Sequence, residues 1–133
     1  MTATQHPMKN PLIAAFSLAL LLFSRLAWVH HSGALFDQTK QMTVTGTVSD
    51  FIWENPHASF KVSTTDADGK FVVWAIEMGG PNNLVREGWK RTTIKDGDKV
   101  TVTVRPLRDG GLGGLYVGIL LPDGRTLGSA AKS

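Results

Sequence analysis

Two stretches of strict alternation set the terms for this chain. Thr43-Val44-Thr45-Gly46-Thr47-Val48-Ser49 and Val100-Thr101-Val102-Thr103-Val104 change polarity at nearly every step and are rich in β-branched residues. A period of two turns one face of a strand to a core and the other to water, which the 3.6-residue helix repeat cannot do. The first stretch continues into Phe51-Ile52-Trp53 and is broken by Glu54-Asn55-Pro56. Ala58-Ser59-Phe60-Lys61-Val62 alternates again, and Phe71 to Ile76 is a third strand. Asp66-Ala67-Asp68-Gly69 between them is a turn signal, so the pair reads as a hairpin. Gly46 inside the first strand marks a bulge or tight bend of the kind barrels need.

Gly79-Gly80-Pro81-Asn82-Asn83 halts the sheet. Asn82 or Asn83 is expected to cap a short helix running to about Glu87, with Gly88 as its stop and Trp89 as a plug against the sheet. A turn at Ile94 to Lys99 leads into the strand Val100–Val104. Arg108 to Gly114 reads as a flexible loop, and Leu115 to Leu121 as the fifth strand. Three strands, a short helix and two strands is the order of an OB-fold, a five-stranded partly open barrel. The expected fold class is therefore all-β: a five-stranded OB-like barrel over residues 42–127, with a short helix between strands 3 and 4. An open sandwich has the same strand content, and the helix favours the barrel. The inward set is expected to be Val44, Val48, Phe60, Val62, Val100, Val102, Val117 and Ile119.

Ahead of the barrel lie an N-terminal arm (30–41) and a signal or anchor helix (1–29); behind it lies a flexible tail (128–133). Lys9 is followed by a run from Leu12 to Phe23 in which Ser17 is the single non-apolar residue, and Arg25 then interrupts it. Such a run matches the apolar core of a secretory signal, about 7–15 residues, and falls short of the ~20 of a membrane span. Cleavage after Val29, with Ala27 at the −3 position, starts the mature chain at His30; residues 11–29 kept as a membrane anchor are the alternative. The expected location is periplasmic or secreted.

The formal net charge of +3 shrinks under this division. The leader carries Lys9 and Arg25 and no acid, so the mature chain is left at +1. Lys90, Arg91, Arg105 and Arg108 form at most a modest basic patch, and phosphate binding relies on accumulated positive charge, so no nucleic acid is expected. The chain has no Cys. Disulfides, thiolate metal sites and thiol nucleophiles are excluded together. No pair of carboxylates, nucleophile elbow or phosphate loop is recognisable, so the chain is not read as an enzyme.

The candidate chemistry is that of histidine. His30, His31 and His57 remain after cleavage. An α-amino group and imidazole at His30, with a nitrogen from His31 or His57, would suit Cu(II), so copper is the candidate cofactor. His57 has a plainer role open to it: following Asn55-Pro56, it can hydrogen-bond the backbone and fix a loop. If Trp53 and Trp74 flank His57 at the barrel mouth, they form a ligand-binding surface with Asn55.

His30-His31-Ser32, Trp53-Glu54-Asn55-Pro56-His57, Gly88-Trp89, Gly97-Asp98 and Leu121-Pro122-Asp123-Gly124-Arg125 together resemble a family of small exported bacterial proteins of unknown function. More loosely, Thr45-Gly46-Thr47-Val48 and the turn Ile94 to Val100 resemble the periplasmic copper-chaperone OB-fold proteins. That resemblance implies a Cu(I) site of one His and two Met, onto which His57 and Met78 would fall; no second Met lies near Met78.

The leading expectation is a non-enzymatic periplasmic binding module for an unidentified ligand or protein partner, touching a membrane only through an uncleaved N-terminal segment. The alternatives are a copper-binding protein using His30, His31 and His57, and a metal-dependent oxidative enzyme with an N-terminal histidine chelate. The intact mass of the exported protein should place its first residue at His30; a mass that retains residues 1–29 would overturn the cleavage reading.

Overall fold

A computed structural model describes residues 32–129, and the compact unit that carries the barrel, Gly33–Ser133, is considered by itself. The expected leader, His30 and His31 lie outside the described residues. A helical turn α1 (Ser32–Leu35) precedes β1 (Met42–Ile52), β2 (Ser59–Thr65), β3 (Phe71–Glu77), α2 (Pro81–Arg86), β4 (Lys99–Pro106), β5 (Gly113–Leu120) and β6 (Thr126–Gly128). The sheet order is β3-β2-β1-β4-β5-β6, and a parallel β3–β5 pairing closes the first five strands into a barrel. The all-β OB-like barrel with its helix between β3 and β4 is thus the observed architecture. Among the described residues no helix is long and apolar enough to cross a membrane.

β1 makes the closure possible because it serves two neighbours. Its first half pairs with β4 and its second half with β2, and Thr47 is in register with Lys99 on one side and Ser63 on the other. Where it passes between them, a Cβ on Gly46 would overlap the Ser63 carbonyl oxygen and stand 2.9 Å from Val62 Cγ1. Gly46 therefore allows a close approach, while the bulge expected of it falls between Ser49 and Ile52, where Asp50 adopts φ +52°. A left-handed non-glycine residue there lets the strand re-aim its side chains.

The core holds Val44, Val48, Phe60, Val62, Val100, Val102 and Ile119, as the alternation predicts. Val117 is the exception and is only half-buried. Thr103 pairs with Gly118 and Val104 with Tyr116, so Val117 is the extra residue of a bulge and Tyr116 turns toward the core instead. A period-two pattern cannot show where a register shift reverses its own phase.

Two further boundaries differ from the sequence reading. The stretch Arg108–Gly114 is not all loop, since β5 begins at Gly113. Gly113 and Gly114 pair with Ala75 and Ile76, and a Cβ on Gly114 would lie 2.6 Å from Val104 Cβ, so the glycines are required by packing rather than by flexibility. The tail likewise starts later than residue 128, because Gly128 belongs to β6 and Ser129 N–H donates to the Val117 carbonyl.

α2 is capped by neither Asn82 nor Asn83. Its N-cap is Gly80, which makes no side-chain cap bond, and Pro81 starts the helix with φ already set. At the other end Gly88, at φ +95°, donates to Val85 O, and Trp89 N–H donates to Leu84 O, the paired bonds of a Schellman stop. That turn drives Trp89 inward to complete burial. Its ring packs edge-on to Tyr116 at 5.5 Å and lies 6.2 Å from Phe51, and Nε1 donates to Tyr116 Oη at 3.0 Å. Burial pushes the Tyr116 hydroxyl up to about 12, an effect the Trp89 hydrogen bond opposes. Removing ~150–250 Å² of indole from water at ~25 cal/mol/Å² is worth about 4–6 kcal/mol, against about 1 kcal/mol for the hydrogen bond. Burial holds the plug.

Gly46→Ala should destabilise the barrel by about 1–3 kcal/mol in urea unfolding, the usual cost of forcing atoms into a packed site. Gly79→Ala, whose Cβ would meet nothing within 4 Å, should stay within about 0.5 kcal/mol of the parent. Equal stabilities for the two variants would refute the crossing argument.

Candidate ligand groove

A broad concavity of the barrel lies on its outer face, where the end of β1, the hairpin β2–β3 and the start of β5 meet. Its volume is about 580 Å³, within the ~300–1,000 Å³ of small-ligand sites. The edge-to-face pair Phe51 and Phe60, 6.5 Å apart, belongs to its lining. Ala75 and Gly113 contribute almost no side-chain bulk, which is why a groove exists between β3 and β5. Its walls carry Leu35, Ile52 and Leu112, exposed by 57%, 45% and 47%. Apolar side chains that wet and that close together around one concavity mark a binding surface better than scattered ones do.

Leu35 reaches the groove because the arm is tied down on the β4–β5 loop. Phe36 bridges Leu107, Asp37 N–H donates to Pro106 O at 2.8 Å, and Arg108 donates from N–H to Leu35 O at 2.9 Å and from Nε to Ala34 O at 3.0 Å. The Asp37 carboxylate accepts from both Thr39 N–H and Thr39 Oγ1, and these bonds hold it down at about 2. The wall is thereby a fixed part of the barrel rather than a free terminus.

Three charged residues border this apolar surface: Asp50, Lys61 and Glu77. The left-handed turn at Asp50 brings its carboxylate to Lys61 Nζ at 2.8 Å. Glu77 stands at the end of β3, opposite Ser59 on β2.

Of the site residues singled out from the sequence, Trp53, Asn55, His57, Trp74 and Met78 are described, and none of these five lines the groove. Asn55, Pro56 and His57 form the β1–β2 loop with a cis Asn55–Pro56 bond. His57 Nδ1 is 3.1 Å from the Met78 carbonyl oxygen and 4.0 Å from Glu77 Oε1. A carbonyl only accepts, so Nδ1 is the protonated nitrogen of this bond. Ala58 N–H donates to Gly79 O and Met78 N–H to Ala58 O on the same loop pair. His57 thus ties this loop to the end of β3. Trp53 is half-buried and packs edge-on to Phe51 at 5.9 Å. Trp74 is not brought to His57. It pairs with Val62, three residue pairs and roughly 10 Å along the hairpin from Ser59–Glu77, and lines a smaller cavity of about 230 Å³ with Met42 and Thr64.

The Met78 side chain is wholly buried in the core, which leaves its sulfur no path to an ion at the surface. Of the metal set read from the sequence, the described residues therefore present His57 alone. Among the described residues no three His, Asp or Glu side chains gather as a metal site.

Leu35, Ile52, Leu112, Asp50 and Glu77 were not singled out from the sequence. One signal was available for Leu112, the single apolar residue within Gly110-Gly111-Leu112-Gly113-Gly114. Nothing in one dimension joins it to Leu35 and Ile52.

A small closed barrel with an apolar groove on one face is the class that fold and geometry define. The chain belongs to a family of unknown function, DUF6152, whose pattern matches residues 19–116. No curated protein matches it. Among solved structures it is similar to the mitochondrial single-stranded DNA-binding protein Rim1 of S. cerevisiae, at 15% identity and a TM-score of 0.47, over 62% of this chain and 92% of that one.

Nitrogen NMR of the neutral protein should find His57 protonated at Nδ1. The opposite tautomer would show that the bond to Met78 is not made.

Proposed function

We propose that this protein is exported and works as a binding module, with the groove between β3, β5 and the arm as its site for a small, largely apolar ligand. Export is supported by the apolar run Leu12–Phe23 between Lys9 and Arg25, whose length suits a secretory signal. One observation carries the binding reading: a concavity of about 580 Å³ whose exposed walls are Leu35, Ile52 and Leu112. A chain that gained nothing from this surface would be expected to cover it with polar side chains. The groove also spans the face of strands 2–3 and the loop between strands 4 and 5, the region through which this barrel type commonly binds. That support is analogy of fold.

The same surface speaks against a nucleic-acid strand as occupant. Asp50 and Glu77 border the groove against a single Lys61, so its rim carries no excess of positive charge to meet phosphates.

Titration with the neutral, environment-sensitive dye phenylnaphthylamine should give saturable binding to the full chain. Ala75→Trp, which fills the groove from an exposed position on β3, should weaken that binding about tenfold or more with an unchanged circular dichroism spectrum. Absence of saturable binding, or a Trp variant that binds as well as the parent, would overturn the reading.

A further inference from the structure

The charges at the polar end of the groove do not cancel. Lys61 Nζ is engaged by Asp50 Oδ2 at 2.8 Å, which neutralises that pair. Among the described residues no lysine or arginine nitrogen lies within ion-pair distance of Glu77. Its one ionisable neighbour at that range is His57 Nδ1, at 4.0 Å, and the proton on that nitrogen is directed at the Met78 carbonyl. Glu77 is also fixed in place. It is in register with Ser59 on one side and with Leu115 across the parallel seam on the other. Its side chain is 32% exposed, so the carboxylate is partly withdrawn from water yet open to a ligand.

An uncompensated carboxylate held beside an apolar wall attracts a cation more strongly than the same group would in open water, because the local dielectric is lower. A carboxylate-ended ligand meets the reverse situation. It faces Glu77 directly, and at Lys61 it meets an ammonium already paired with Asp50.

We propose that the groove selects an amphiphilic organic cation, whose apolar body lies over Ala75 between Ile52 and Leu112 and whose ammonium group sits at Glu77. This rests on the groove being a binding site. Both parts of the ligand are then specified: the apolar part by the walls, the sign of the head group by Glu77. The length of the body is set by a space of about 580 Å³.

The test displaces bound phenylnaphthylamine from the full chain with three twelve-carbon probes, each below its micelle concentration: dodecyltrimethylammonium, dodecanoate and dodecyl maltoside. The cation should displace the dye about tenfold more tightly than the anion, with the neutral probe between them. Glu77→Gln keeps the shape of the side chain and should bring cation and anion to within about twofold, each affinity being read against that variant's own dye constant. Glu77→Lys should reverse the order, and if that variant does not fold, the Gln variant decides. Equal affinities in the parent, or a cation preference that survives Glu77→Gln, would overturn the proposal and leave the groove a site for apolar ligands. Failure of the dye and all three probes to bind the parent would overturn the binding reading itself.

Discussion

Three residue pairs close this barrel. Ala75, Ile76 and Glu77 of β3 lie parallel to Gly113, Gly114 and Leu115 of β5, and without that seam the sheet would be an open ribbon. Parallel pairing over so short a span gains little from its own hydrogen bonds, and side-chain bulk on the β5 glycines would defeat it. A Cβ on Gly113 would lie 2.7 Å from Leu107 Cδ1, and one on Gly114 would lie 2.6 Å from Val104 Cβ. The glycines let β5 approach closely enough to pair, while Ala75 keeps the outer side of the seam low. The groove is a consequence of the same economy of atoms. Closing the barrel with small residues leaves a trough on its surface, and Leu35, Ile52 and Leu112 stand around it.

The seam depends in turn on the curvature of β1. A strand of eleven residues can pair with β4 over one half and β2 over the other only if it bends between them. Gly46 permits the bend and the bulge at Asp50 completes it. That bulge carries the strand's contribution to the site, since it presents Asp50 to Lys61 and places Phe51 and Ile52 at the groove. At the far side α2 ends in a turn that sends Trp89 under Phe51 and beside Tyr116. Structural devices and candidate site therefore share residues: Phe51 contacts the plug and also lines the groove.

Much of the barrel was legible because alternation is a local property. Val44, Val48, Val100 and Val102 each declare their face through their immediate neighbours, and the structure buries all four. Val117 does so equally plainly and is misplaced, since the bulge that turns it outward arises from pairing with β4 rather than from its own sequence. The glycine run 110–114 failed for a related reason. Flexibility and close packing call for the same residue, and only the approach of Val104 and Leu107 tells them apart. The candidate site was less legible than the fold. Trp53, Asn55, His57 and Trp74 attract notice as chemical types, but the barrel separates Trp74 from the other three and uses His57 to hold a loop.

The sequence by itself determined an all-β chain of five main strands, a helix in the third connection and a plug at Trp89. Each follows from periodicity, turn chemistry or composition, which are written in short stretches. Tertiary structure alone decided that Met78 is core, that no lysine or arginine among the described residues pairs with Glu77, and that Leu35, Ile52 and Leu112 surround one groove. Those facts join residues from the arm, β1, β3 and the β4–β5 loop. A relation among positions so distant in sequence exists only once the parallel seam has brought their strands together.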